Sequence, residues 1–215
     1  MAYPTVSKPY GLKPINLIGG QVFAGSTRQI AITTSAVNYN TAIYNGAVVQ
    51  LDTSGCVINS TLENQNDPAN IPGVLGVFVG CRYTNPTTKQ PTYSQYWPGF
   101  ASGVTDAFAY IVDDPDALFK VASVGATANT TGLDITPVQQ TALGTNAVLV
   151  LNSGDATSGN AQTGIYYNNV TTALPFRIVD LVPDTSYLSG GNIVYPEVIV
   201  KFNAGYHSYY NAIGK

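Results

Sequence analysis

The chain has 215 residues, of which nine are Lys or Arg and twelve Asp or Glu, so only 10% are charged and the net charge is −3. An ordinary soluble domain carries about a quarter charged residues. With no basic stripe to neutralise phosphates, nucleic-acid binding is excluded as a leading role. No run approaches the ~20 apolar residues of a spanning helix, so a membrane role is excluded as well.

Polarity is carried instead by Asn, Thr, Ser, Gln and Gly. These groups can be hydrogen-bonded at a buried contact without stripping water from a charge. There are 15 Tyr, a residue enriched in interface cores. This composition predicts a protein that works by contact. The length suits one large β-domain with an appended arm or small subdomain.

In chain order, residues 1–26 stand apart. Pro4, Pro9 and Pro14 fix their own backbone angle and push the preceding residue towards extended geometry. Yet Tyr3, Tyr10, Leu12, Ile15, Leu17, Ile18, Val22 and Phe23 are too apolar for a solvated tail. The pattern predicts an extended N-terminal arm that lies on another body. About 18 such residues could reach roughly 60 Å. The start, Met1-Ala2-Tyr3-Pro4, has no signal-peptide pattern, and a chain made in a cytoplasm is expected. The sequons at Asn59, Asn129 and Asn169 then read as chance in an Asn/Thr-rich chain.

Strand signals fill the rest, 27–215. Residues 28–33 form a short strand. Asn45-Gly46 between 43–44 and 47–51 predicts a type I′ hairpin. Residues 52–55 turn the chain into 56–58. Segment 73–80 is a buried strand with glycines where another backbone can approach. Further strands are 108–112, 118–121, 147–151, 176–182 and 194–202. In the last, Val198, Val200 and Phe202 share a face by period two, with Glu197 and Lys201 opposite. Helical periodicity is confined to 136–142.

Segment 83–103, with Tyr83, Tyr93, Tyr96, Trp97 and Phe100 among three prolines, reads as a long loop excursion or small subdomain. Segment 152–163 reads as a polar loop. Strands at this spacing, separated by Gly, Asn, Asp and Pro, predict an all-β fold: an antiparallel sandwich or barrel.

Chemistry-bearing patterns are sparse. His207 is the sole histidine, so any Ser-His-Asp arrangement would have to use it, and no Gly-x-Ser-x-Gly elbow or phosphate loop is present. Asp113, Asp114 and Asp116 around Pro115 could meet a hard cation, but Asp and Pro at a strand end are ordinary turn formers. No catalytic residue, metal or cofactor is expected. Cys56 and Cys81 are too few for a zinc ribbon. Buried thiols are expected, with a disulfide left open. Trp97 and its Tyr neighbours could stack on sugar rings. That is the basis of an alternative reading as a carbohydrate-binding or fibre-like adhesin module.

Several phrases occur in a telling order. Gly11-Leu12-Lys13-Pro14-Ile15 is followed by Gly19-Gly20, Phe23-Ala24-Gly25-Ser26 and then Arg28. Later come Pro72-Gly73-Val74-Leu75-Gly76-Val77, Ser94-Gln95-Tyr96-Trp97-Pro98-Gly99, Tyr110-Ile111-Val112-Asp113-Asp114-Pro115-Asp116 with Phe119, Phe176-Arg177-Ile178, and Val200-Lys201-Phe202-Asn203 with His207 and Gly214. This series resembles the capsid cement or decoration (head-stabilisation) proteins of tailed phages.

The resemblance implies a virion structural protein on the capsid exterior, bound to the major capsid protein at capsomer joints and associated with itself as a homodimer or homotrimer. It transfers no catalytic or metal residues. The candidate interface residues are Tyr3, Tyr10, Leu12, Ile15, Trp97, Phe100, Tyr206, His207, Tyr209 and Tyr210.

Overall fold

The computed structural model describes residues 6, 8–32, 39–62, 73–100, 103–104, 106–124, 140–170, 173–185, 195–212 and 214, with side chains of the tenth strand described to residue 167. The strands are β1 (Lys13–Leu17), β2 (Arg28–Ala31), β3 (Val48–Leu51), β4 (Val57–Asn59), β5 (Gly76–Thr84), β6 (Pro91–Ser94), β7 (Phe108–Val112), β8 (Ala117–Ala122), β9 (Asn146–Val150), β10 (Gly164–Val170), β11 (Phe176–Leu181) and β12 (Glu197–Phe202). One sheet runs β1-β8-β12-β11-β9-β10; the other runs β2-β7-β5-β3-β4, with β6 also paired to β5. Every strand pairing is antiparallel. The fold is an all-β sandwich and not a closed barrel.

Adjacent residues on a strand point to opposite faces, and this sorts the core. Val48, Val77 and Val112 join Phe119, Val121, Leu149, Ile178, Val198, Val200 and Phe202 in a cluster that draws on both sheets. Their neighbours Val49, Phe78 and Ile111 belong to a second cluster with Ile43, Trp97, Val104 and Ala107. The second sheet is therefore covered on both faces. That explains why 73–80 reads as continuously apolar rather than alternating. Each large side chain buried this way contributes about 1.5–3 kcal/mol. At Gly76 a Cβ would fall 2.2 Å from the Val112 carbonyl oxygen, so the β5–β7 approach requires glycine.

The Asn45-Gly46 step is a turn, as expected, but not a type I′ hairpin. The Ala47 N–H donates to the Tyr44 carbonyl at 3.0 Å. Gly46 has φ +85°, while Asn45 is not in the positive region, and type I′ needs both. The flanking segments also part company. Ile43 bridges to Trp97, whereas β3 pairs with β4 and β5. The turn is wedged into the fold: Gly46 N–H donates to Phe78, and its carbonyl accepts Leu12 N–H at 2.9 Å.

The N-terminal stretch is extended, but its second half is built into the domain. Leu12 is fully buried, and β1 is the edge strand against β8, with Pro14 opposite Phe119 beside a bulge. An edge strand tolerates proline because its missing N–H faces away from the ladder. Tyr10 donates its hydroxyl to the Glu197 carboxylate. Lys13 Nζ donates to the side-chain carbonyls of Asn45 and Asn160. Tyr3 lies outside the described residues.

The 83–103 excursion is a hairpin followed by a return to the core. β5 continues to Thr84 and β6 comes back on it, pairing Arg82 with Tyr93 and Thr84 with Pro91. The Asn85 side chain accepts the N–H groups of Thr87 and Thr88 and so shapes the tip. Of the 136–142 segment, a 3-10 turn at Gln140–Ala142 is described. Cys56 and Cys81 are buried thiols that no disulfide joins.

Candidate functional site

The four residues 113–116 cross from β7 in one sheet to β8 in the other. They fold as a turn. The Ala117 N–H donates to the Asp114 carbonyl at 3.1 Å, and the Asp116 N–H to Asp114 Oδ1 at 2.8 Å. Asp at the first position and Pro at the second suit this geometry. Among the described residues, no group of three or more His, Cys, Asp or Glu is arranged to hold a metal.

The same turn gathers distant parts of the chain. Asp113 Oδ2 accepts Arg28 Nε from β2 at 2.8 Å and also accepts the Tyr209 hydroxyl. The Arg28 guanidinium sits over the Tyr209 ring, 5.4 Å from its centre. Asp116 pairs with Lys201 of β12 at 2.5 Å. The Asp116 carbonyl accepts the Ile18 N–H at 3.0 Å. Ile18 begins a tight excursion that Leu17 N–H closes by donating to Gln21, with Val22 bridged back to Asn16.

Around this turn, exposed apolar and aromatic side chains stand among the ionic groups. Five large apolar or aromatic side chains are exposed among the described residues: Ile18 (51%), Val22 (78%), Tyr93 (74%), Tyr209 (48%) and Tyr210 (58%). Four of them belong to the two segments tied to residues 113–116; Tyr93 is on β6. Four ionic groups at this end form two pairs, Arg28–Asp113 and Lys201–Asp116. Burial and the Asp113 carboxylate push the Tyr209 hydroxyl up to about 12, so it stays a neutral donor.

Beneath Tyr209 and Tyr210 lies His207. Its ring is buried, with centroid distances of 6.0 Å to Phe202, 5.0 Å to Tyr209 and 6.4 Å to Tyr210. Nδ1 accepts the Tyr209 N–H at 3.3 Å, and Nε2 makes no well-formed hydrogen bond. Burial holds its pKa below the ordinary 6.5, with the carboxylates of Asp113 and Asp114 drawing it the other way.

The structure divides the ten residues expected at an interface. Tyr209 and Tyr210 are exposed together. Leu12, Trp97, Tyr206 and His207 are buried within the chain itself and offer no outer surface in this fold. Trp97 donates its indole N–H to the Tyr39 carbonyl at 3.0 Å and meets Tyr83 and Phe100 edge to face. The Tyr206 hydroxyl donates to the Ala173 carbonyl at 3.0 Å. Tyr10, Ile15 and Phe100 are partly buried.

Sequence reasoning left out Ile18, Val22 and the Arg28–Asp113 pair as site residues. Apolar residues on both sides of Gly19-Gly20 were the available sign of a projecting apolar tip. Elsewhere, a cleft of about 300 Å³ lies between Tyr44, Val48, Asn59, Leu151, Asn152 and Thr163, and its lining carries no charge.

Comparison of the chain with protein-family models, with curated proteins and with solved structures finds no match.

Proposed function

We propose that this protein is a virion structural subunit of a tailed phage, a cement or decoration protein that binds the outer surface of the major capsid protein. We assign its contact face to the end of the sandwich around the β7–β8 turn. The observation that carries this reading is the grouping of Ile18, Val22, Tyr209 and Tyr210 about one turn, two of whose three carboxylates are ion-paired inside the chain. Large exposed apolar surfaces on a folded domain mark contact sites.

The resemblance in the sequence adds weight. Three of the phrases that carry it, Arg28 after Gly25-Ser26, the Asp113–Asp116 phrase and the Lys201-to-His207 region, are remote in the chain and meet at this turn. On this reading the protein bridges neighbouring capsomers and adds buried area where an expanded shell shears. A contact of ordinary size would bury about 800 Å² per partner. Self-association as a dimer or trimer would let modest affinity per site become high avidity. The work is done by binding rather than catalysis: the sole histidine is packed under Tyr209, with Nδ1 committed to a backbone N–H. For the adhesin alternative, which called on Trp97 and its Tyr neighbours, Trp97 is fully buried and Tyr93 is the exposed ring.

The test is to add the protein to expanded shells that lack it and to reconstruct the particles. Many copies spread over the head, contacting it through Ile18, Val22, Tyr209 and Tyr210, are expected. No binding, or binding restricted to one vertex or the tail, overturns the reading.

A further inference from the structure

The segment after β12 is held at two levels. Lower down, the Val74 N–H donates to the Tyr206 carbonyl at 2.7 Å and the Ser208 N–H to the Val74 carbonyl at 2.8 Å, so 206–208 lies along Val74. The fit is close: a Cβ on Gly73 would fall 2.4 Å from Ser208 Cα. Higher up, Tyr209 hangs from two side chains. Its N–H donates to His207 Nδ1 and its hydroxyl to the Asp113 carboxylate.

This arrangement suits only one protonation state of His207. A neutral imidazole that accepts through Nδ1 carries its proton on Nε2. That nitrogen is buried and makes no well-formed hydrogen bond, and the same holds for the neighbouring Ser208 Oγ, although the Asp113 backbone acts on the ring as an acceptor and favours its proton. A second proton makes both ring nitrogens donors. The Tyr209 N–H then faces a donor instead of an acceptor, and a buried cation must be accommodated as well.

The charged and titratable groups around the ring are few. Asp113 and Asp114 come from the β7–β8 turn, Lys201 from β12, and Tyr209 and Tyr210 from the segment itself. Arg28 of β2 acts through its pair with Asp113. Phe202 and the Gly73-Val74 step contribute no titratable group. The acceptors a cationic ring would seek are therefore the Asp113 backbone and the two carboxylates, one of which is the group that holds Tyr209.

We propose that His207 is an acid-sensitive latch for Tyr209: on taking one proton from solvent, the ring gives up the Tyr209 N–H, turns towards Asp113 and Asp114, and releases Tyr209 from the β7–β8 turn, with the Tyr210 ring that packs on the imidazole shifting alongside. The latch is closed in the neutral state, and the burial that disfavours the cation keeps it closed near pH 7. A consequence for shell attachment rests on the docking reading above; the latch itself does not.

Because the chain has one histidine, the test is unambiguous. The imidazole, Tyr209 and Tyr210 resonances of the labelled full-length protein are followed between about pH 8 and pH 5, the range where histidine titrates. The His207 midpoint is expected below 6.5, with the two tyrosines shifting at that same midpoint. His207→Gln, whose amide oxygen can still accept the N–H but takes no proton, is expected to hold the tyrosines in place throughout. A midpoint at or above 6.5, tyrosines that do not move with it, or an unchanged transition in His207→Gln each overturn the latch. Should that variant not fold, agreement or disagreement of the midpoints in the unaltered protein decides. Shell sedimentation in parallel separates the two proposals: no binding at neutral pH removes the docking face and leaves the latch to the resonances.

Discussion

The Arg28 guanidinium meets the Asp113 carboxylate at 2.8 Å and lies over the Tyr209 ring, so one cation joins an edge strand, the inter-sheet turn and the C-terminal segment. The Arg28 side chain is half exposed, and such pairs contribute about 0–1 kcal/mol. The effect of the pair is positional. It neutralises Asp113 while Asp113 accepts the Tyr209 hydroxyl, and so fixes Tyr209 at the inter-sheet turn.

If that end is the docking face, Ile18→Asp with Val22→Asp should weaken attachment without harming the fold. Unfolding stability should stay within about 0.5 kcal/mol per site, while binding to shells weakens about tenfold or more. Binding by the unaltered protein should survive high salt, since screening acts mainly on exposed charges. Sedimentation with shells at two salt concentrations measures both.

Leu12→Ala should behave in the opposite way. Leu12 is fully buried in the cluster shared by both sheets, so about 2–5 kcal/mol should be lost in urea unfolding. A change below about 0.5 kcal/mol would mean that the N-terminal segment is not part of the core.

Trp97 is the sole tryptophan and fully buried. Its emission should be blue-shifted in the native protein and move red only on unfolding. Trp97→Ala should cost about 3–5 kcal/mol. Quenching of the native emission by added sugars would revive a carbohydrate site there.

Both thiols should be silent to an exposed-thiol reagent. Burial pushes Cys81 up to about 12, so the thiolate is scarce at neutral pH, and Cys56 is buried as well. Two thiols should react in denaturant and neither promptly without it. Prompt reaction of Cys81 would show that the second cluster opens readily.

Stability should depend on pH through His207. Its folded pKa lies below the unfolded value of about 6.5, so the unfolded chain binds more protons in between. Unfolding free energy should therefore fall as pH drops below 6.5, and the contribution should level off below the folded pKa. His207→Gln should lose that slope. The comparison is a series of denaturant titrations on both proteins; equal slopes would show that His207 does not set it.

The sequence by itself determined the fold class and most strand positions. Val198, Val200 and Phe202 alternate as a strand must, and Asp52 to Gly55 turns where turn residues cluster, with Asp52 Oδ1 accepting the Ser54 and Cys56 N–H groups. Local rules suffice there, because period and turn chemistry act over a few residues. Tertiary structure alone decided where the N-terminal segment goes and which aromatics face water. Pro14 rules out a helix but does not name β8 as a partner, and nothing local distinguishes the buried Trp97 from the exposed Tyr93 four residues earlier. A period-two pattern says that neighbours face opposite ways; only the second layer over β3, β5 and β7 says that both ways are inward. The Arg28–Asp113–Tyr209 cluster is the extreme case, since its members come from the first, middle and last parts of the chain, and only long-range strand pairing brings them together.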